Sequence, residues 1–209
     1  MPSPMTRPQP ARALRHALAA VAVAALGGLP GPGVLAQSAP APEGAWSWSV
    51  IAGNMTRNRA NDLLRPGEYD FADNYFAGVA LAFDRPIGAS RWSWGGEFQV
   101  QRHFGDQTFF EFVPSATLRY HPARPLPPLL DSLAFGLGLS HTTETPRLEI
   151  DVRGDSARTL VYWLAEAAFA AGDDGQQVFL RVHHRSDAFG LLDPDSGSNA
   201  FALGLRYPF

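Results

Sequence analysis

The chain is 209 residues long, with 45% hydrophobic residues and a formal net charge of −3. This length and polarity are typical of one domain, and the weak negative charge excludes the strongly basic face that binds nucleic acid. There is no cysteine, so the fold must be held by packing or by a closed hydrogen-bond ladder and not by disulfides.

The first segment has the pattern of a cleavable secretory signal. Three arginines within the first 15 residues precede an apolar run from Ala17 to about Leu29. The run Val34-Leu35-Ala36 then has small residues at the two positions that a signal peptidase reads, which predicts cleavage after Ala36. We predict a signal peptide over residues 1–36 and a short periplasmic segment over residues 37–43. The mature chain is therefore expected outside the cytoplasm.

Residues 44–209 show repeated segments of roughly ten residues in which apolar and polar side chains alternate between turn residues. The third segment is the clearest, because Trp92, Trp94 and Phe98 alternate with Ser93 and Glu97. The apolar faces run, in chain order, from Trp46 to Ala52, Val79 to Phe83, Trp92 to Val100, Phe110 to Tyr120, Leu133 to Leu139, Val161 to Phe169, Val178 to Val182 and Phe201 to Phe209. Pro114, inside the fourth segment, predicts a bulge or a local break because proline cannot donate to the ladder.

This pattern predicts an all-β fold, an eight-stranded antiparallel transmembrane β-barrel of the bacterial outer membrane that follows a cleavable signal peptide. Small barrels of this class are filled by side chains, so five charged residues of the polar faces are expected to pair inside: Glu97, Glu111, Glu166, Arg119 and Arg181. The alternative is a soluble eight-stranded barrel, which would direct its large aromatics inward around a ligand. Aromatics near the strand ends and a last strand ending at Phe209 favour the membrane barrel.

The lengths of the connections predict the orientation of the barrel. If both chain ends lie in the periplasm, the outer loops are Met55 to Asp73, His103 to Gln107, Ser140 to Arg158 and Asp187 to Ser198. Long loops outside and short turns inside are the usual arrangement of such barrels. The seventh strand then runs outward.

The seventh strand breaks its own alternation near its outer end. The apolar face from Val178 to Val182 continues into His184 and Ser186, and the rise of ~3.3 Å per residue places His184 at the level of the outer leaflet. The same parity directs Asn199 outward on strand eight, beside His184. Serine, histidine and a third polar residue are the components of a nucleophilic acyl-transfer site. The alternative is a non-catalytic polar triplet in the interfacial zone that lipid headgroups wet.

The carboxy-terminal segment also carries a resemblance to a known family. It contains the runs Asp174-Gly175-Gln176 and His184-Arg185-Ser186-Asp187-Ala188, then Pro194 and Gly197, and ends in Tyr207-Pro208-Phe209. These residues resemble those of the outer-membrane lipid A 3-O-deacylases, the PagL family. The resemblance implies Ser186 as nucleophile and His184 as base on the outer face of an eight-stranded barrel. It implies lipid A, or lipopolysaccharide, as the substrate and partner, with no metal or cofactor.

Two positions depart from the family pattern. Asn199 stands where the family has a glutamate, and an amide can orient an imidazole but cannot offset the charge of an imidazolium. Asp187 stands where the family has an asparagine near the oxyanion, and a carboxylate repels a developing oxyanion. Backbone N–H groups from Ala188 to Gly190 are expected to substitute as donors.

The sequence therefore predicts a carboxylic ester hydrolase of the outer membrane that removes an acyl chain from lipid A. The second hypothesis is a small outer-membrane barrel without enzymatic activity, structural or adhesive, that keeps the His-Ser pair. A third is a soluble lipid-carrying barrel in the periplasm. The sequence leaves open whether the barrel forms a homodimer, and which acyl chain is removed.

Overall fold

The computed structural model describes residues 44–65, 67–123 and 130–209. Within these ranges the strands are β1 Ala45–Thr56, β2 Phe71–Pro86, β3 Trp92–Gly105, β4 Phe109–Tyr120, β5 Leu130–Thr142, β6 Thr159–Ala170, β7 Gln177–Ser186 and β8 Gly197–Pro208. A short 3-10 helix spans Ala60–Leu64, and an α-helix, α1, spans Arg147–Arg153. The predicted signal peptide, 1–36, and the periplasmic segment, 37–43, lie outside the described residues. No helix in the described ranges has the length and hydropathy that a membrane crossing needs.

Each strand pairs antiparallel with the next along the chain, and β8 pairs with β1 to close the barrel. The predicted eight-stranded antiparallel barrel is confirmed. Closure joins the first and last strands in a continuous ladder from Ser47↔Pro208 to Thr56↔Asn199. A closed sheet has no exposed edge, so a chain without disulfides satisfies its strand backbone within one ladder.

The side chains alternate between an apolar exterior and a largely polar interior. On β5, Leu133, Phe135 and Leu137 are 45%, 51% and 54% exposed, whereas Ser132 before them and Ser140 after them are fully buried. This is the reverse of the soluble alternative, which would direct its large aromatics inward. A continuous exposed apolar surface of this kind is typical of a barrel wall that faces lipid.

Aromatic pairs lie near both ends of this apolar wall. At the end where β1 begins, Trp48 stacks on Tyr207 with ring centroids 4.6 Å apart, and Trp92 lies 4.9 Å from Tyr120. At the opposite end, Phe201 contacts Tyr69 at 4.8 Å and Phe71 at 6.1 Å. Two aromatic levels on an apolar wall match the girdles that mark the two membrane–water boundaries in such barrels.

Charged side chains fill the interior, as the alternation predicts. Glu166 accepts hydrogen bonds from Arg119, Arg181 and Arg206 at 2.6–3.1 Å. Glu97 adds a second carboxylate, with its two oxygens 2.7 Å and 2.9 Å from the guanidinium nitrogens of Arg181. Because each buried charge has an opposite partner, the desolvation cost of this lumen is offset locally.

A second polar cluster lies nearer the end where β7 finishes. His103 Nε2 lies 2.7 Å from Glu111 Oε2, and His183 Nε2 lies 3.2 Å from Oε1, to which the Ser140 hydroxyl also donates. The predicted inward direction of Glu111 is therefore confirmed. The histidines belong to the same interior network, which the alternation of β3 and β7 also requires.

The β4–β5 pairing stops after Phe112↔His141 and resumes at Ser115↔Gly138 with the register unchanged, so the predicted local break at Pro114 is confirmed and no bulge forms. The predicted loop from Ser140 to Arg158 begins two residues later than expected, because β5 continues to Thr142. Within this connection the chain forms α1. Helix α1 has only seven residues, too few for a recognisable apolar period.

Candidate active site

The register of β7 and β8 brings the predicted site residues to one place on the barrel. His184 pairs with Asn199, and Ser186 pairs with Gly197. Along β7, His183 and Arg185 point into the lumen, with 0% and 2% exposure, while Leu180 on the opposite side is 54% exposed. By strand parity His184 and Ser186 share the outward face with Leu180.

A hydrogen bond joins His184 to Asn199 and determines the tautomer of the imidazole. His184 Nδ1 lies 2.6 Å from Asn199 Oδ1, and Asn199 Nδ2 donates to the carbonyl oxygen of Asn58 at 2.8 Å. A carbonyl can only accept, so the amide must turn its NH₂ to Asn58 and its oxygen to the ring. Nδ1 therefore carries the proton, and Nε2 keeps the lone pair that a general base needs.

The outward pair is covered, not open to solvent. The Trp163 ring stacks on His184 with centroids 4.5 Å apart and an interplanar angle of 29°. His184 is 7% exposed and Asn199 is fully buried under the segment that contains Asn58. The Trp163 ring thus fixes the plane of the His184 imidazole, and the Asn199 amide fixes its tautomer.

Ser186 is not hydrogen-bonded to His184. Its Oγ accepts a hydrogen bond from the N–H of Ala188 at 3.3 Å, and among the described side chains no hydrogen bond joins it to His184. The structure therefore pairs His184 with Asn199 but leaves the Ser186–His184 contact unmade. Such contacts often form only when substrate is bound.

The loop after Ser186 folds into a tight turn. The Asp187 carboxylate accepts the N–H of Gly190, and the Asp187 carbonyl accepts the N–H of Leu192 at 2.9 Å. Ala188 and Phe189 adopt φ values of 55° and 60°, a left-handed conformation that is strained for residues with a side chain. Of the predicted oxyanion donors from Ala188 to Gly190, Gly190 donates its N–H to Asp187, and Ala188 donates its N–H to Ser186 Oγ.

Four residues beside the site were missed by the sequence analysis. Trp163 could have been found, because it alternates outward on β6 and pairs directly with His184. Phe189 is fully exposed and Leu191 is 78% exposed, and they form an apolar loop tip three and five residues after Ser186. The sequence could have indicated them, because an apolar run is unexpected in an outer loop. The contact of Asn58 with Asn199 could not be predicted from local sequence, because the two residues are 141 positions apart.

A positively charged rim adjoins the same residues. Arg153, at the end of α1, donates its Nε–H to the carbonyl of Gly197 at 3.4 Å, and Gly197 is the ladder partner of Ser186. Burial lowers the pKa of Arg153, and the neighbouring charge of Arg59 lowers it further. The carboxylates of Asp195 and Asp62 act on Arg153 in the opposite sense and raise its pKa.

No family model matches the chain, and no curated protein matches it. Among solved structures the chain is similar to the crystal structure of the outer membrane enzyme PagL, with 15% sequence identity and a TM-score of 0.48 over 78% of this chain and 99% of that chain.

Proposed function

We propose that this protein is an outer-membrane esterase that removes an ester-linked acyl chain from lipid A, with Ser186 as nucleophile and His184 as general base. The observation that supports this most directly is the His184–Asn199 hydrogen bond on the outward apolar face, beside a serine on the same face. A base in the correct tautomer on that surface can act only on a molecule that reaches it from the membrane.

The level of the site supports a lipid ester as substrate. Asn199 lies two residues from Phe201 toward the outer end of the barrel, and Phe201 belongs to the aromatic cluster with Tyr69 and Phe71. Aromatic girdles mark the boundary between hydrocarbon and headgroups, and the ester bonds of lipids lie at that boundary. With both chain ends in the periplasm, this boundary belongs to the outer leaflet.

The chemistry follows from the assigned tautomer. Rotation of Ser186 brings its Oγ to His184 Nε2, which takes the proton as Oγ attacks the ester carbonyl. The N–H of Ala188 donates to the oxyanion, and the imidazolium returns the proton to the sugar oxygen as the C–O bond breaks. Water then hydrolyses the acyl-Ser186 ester with the same base, releasing the fatty acid and free enzyme. Asn199 holds the ring in place throughout.

The surroundings of the site suit an amphipathic, anionic lipid. Phe189 and Leu191 offer an apolar surface for an acyl chain, and Arg153 with Arg59 offers positive charge for a phosphate of the same molecule. The substrate arrives by lateral diffusion, so the site needs no deep pocket. The proposal therefore requires access from the membrane plane.

Mass spectrometry of lipid A from cells that express the chain tests the function. We expect loss of one hydroxyacyl chain with the unmutated protein, and a rate at least ~10³-fold lower with Ser186→Ala or His184→Ala, because nucleophile and base act as one unit. Ser93→Ala, a buried serine on β3 far from β7, is the matched control and should retain activity. Activity that survives in the Ser186→Ala barrel would refute Ser186 as the nucleophile.

One observation favours a second candidate, a small barrel without enzymatic activity, structural or adhesive. In the described structure Ser186 makes no hydrogen bond to His184, and Asn199 supplies no negative charge to an imidazolium. In that case the His184–Asn199–Asn58 chain is only a structural tie between β7, β8 and the connection after β1. Unchanged lipid A in every sample, with folded barrel present, would support this candidate.

A further inference from the structure

A luminal cluster lies directly behind the proposed site. On β7, Arg185 stands between His184 and Ser186, and on β8, Ser198 stands between Gly197 and Asn199. Arg185 and Ser198 are ladder partners and both are buried, at 2% and 5% exposure. Every outward residue of the site therefore adjoins a residue of this inner pair through the backbone.

Glu149, on α1, is the acceptor that joins the inner pair. Ser198 Oγ donates to Glu149 Oε1 at 2.7 Å, and Arg185 Nε lies 3.1 Å from the same oxygen. The Arg185 contact is an ion pair by distance, although its N–H does not point along a hydrogen bond. The Arg185 guanidinium also donates to the carbonyl of Ala157 at 2.6 Å. The Glu149 carboxylate thus joins the segment between β5 and β6 to both β7 and β8, the strands that carry the site.

The second oxygen of Glu149 is equally engaged. Ser156 Oγ donates to Oε2 at 2.6 Å, and Ser196 Oγ lies 3.3 Å from it, just before β8 begins. The single proton of Ser196 has a closer acceptor in the Asp155 carbonyl at 2.8 Å, so the carboxylate serves chiefly two hydroxyls, Ser156 and Ser198, and one guanidinium. Without Glu149, a buried positive charge and these two hydroxyls would lose their common acceptor, and β7 and β8 would lose their tie to α1.

Helix α1 is itself held firmly enough to act as a support. Gln107 Oε1 accepts the backbone N–H groups of Arg147 at 2.8 Å and Leu148 at 3.4 Å, which caps the start of the helix. Leu148 is 4% exposed and belongs to the apolar cluster that contains Met55 and Ala200. Glu149 therefore projects from a helix that is anchored at its start, directly before Glu149.

From these contacts we infer that Glu149 is a positioning residue for the proposed esterase: through Arg185 and Ser198 it holds the ends of β7 and β8 from inside the barrel. This inference rests on the proposed function. Its physical content is that a shift of the backbone at Arg185 carries His184 and Ser186 with it. A shift of ~1 Å can reduce turnover about 100-fold, even when the reacting groups are intact.

The test uses the full-length barrel in three forms: Glu149→Met, Arg185→Met and the double variant. Each single variant leaves a buried group without its partner and should lower both the unfolding midpoint and kcat, the latter ~10- to 100-fold with KM little changed. The double variant removes both charges, so its unfolding midpoint should recover while kcat stays low. Folded barrel is quantified by its faster migration on unheated gels, and kcat is expressed per folded barrel.

Glu97→Gln is the matched control, because it breaks a buried ion pair with Arg181, which lies on β7 four residues before Arg185 and farther from the site. It should lose stability to a similar degree and keep its kcat per folded barrel. If kcat recovers together with stability in the double variant, or falls equally in Glu97→Gln, the positioning role is overturned. If the unmutated barrel neither releases an acyl chain nor reacts at Ser186 with a serine-directed fluorophosphonate, the proposed function itself is overturned, which the variants alone would not show.

Discussion

At the scale of single residues, Asn199 is the side chain on which the proposed chemistry depends most. It makes two hydrogen bonds in opposite senses, accepting from His184 and donating to Asn58. A carboxylate could make only the first of these, since it has no donor for a carbonyl. The neutral amide therefore does not stabilise an imidazolium by charge, but it does bind the segment after β1 through Asn58.

Asn199→Ala should lower kcat about 100-fold with KM little changed, because the imidazole loses both its orientation and its tautomer. Asn199→Asp should keep more activity than Asn199→Ala, since the carboxylate still accepts from Nδ1 and also stabilises the imidazolium, although the tie to Asn58 is lost. Rates of acyl release per folded barrel check both variants. Equal activity of Asn199→Ala and the unmutated barrel would mean that Asn199 does not orient His184.

At the scale of elements, the backbones of β7 and β8 approach closely where the two strands carry the site. A Cβ at Gly197 would lie 2.5 Å from the carbonyl oxygen of Arg185 and 3.0 Å from the Cα of Ser186. The contact is with backbone, which cannot move aside as a flexible side chain would. The absence of a side chain at Gly197 thus allows the strand end that holds Ser186 to approach β8.

Gly197→Ala should therefore displace Ser186 and reduce acyl release about tenfold or more, by the sensitivity of such reactions to misplacement of the reacting group. Gly96→Ala is the control, because the nearest atom to its added Cβ is the carbonyl oxygen of Ser115 at an ordinary 3.6 Å. Both variants should give folded barrel on unheated gels. A Gly197→Ala barrel as active as the Gly96→Ala barrel would contradict the close-approach explanation.

At the scale of the whole molecule, the barrel has an apolar exterior and a charged interior. Leu137, near the middle of β5, is 54% exposed beside Trp163, whereas Leu133 lies beside Tyr120 at the aromatic level near the start of β1. In water this distribution would expose a large apolar surface. In a bilayer it places Leu137 in hydrocarbon and Leu133 near the headgroups.

Leu137→Arg should destabilise the barrel in phospholipid vesicles by about 2–4 kcal/mol and Leu133→Arg by no more than about 1 kcal/mol, because the cost of a charge falls steeply toward the membrane boundary. Denaturant titrations of the two variants in the same vesicles measure the difference. Equal destabilisation by the two substitutions would contradict a membrane position for this wall.

The sequence alone determined the strand number, the two faces of each strand, the interior charges and the outward direction of His184 and Ser186. These depend on a period of two residues, which is a local property of an extended chain. Only the tertiary structure decided that Asn58 completes the Asn199 hydrogen bonds, that Glu149 lies behind the site, and that Gly190 gives its N–H to Asp187. The Gly190 contact lies in a loop without periodicity. The others join partners far apart in sequence, such as Asn58 and Asn199 at 141 residues, which closure of the barrel had to bring together.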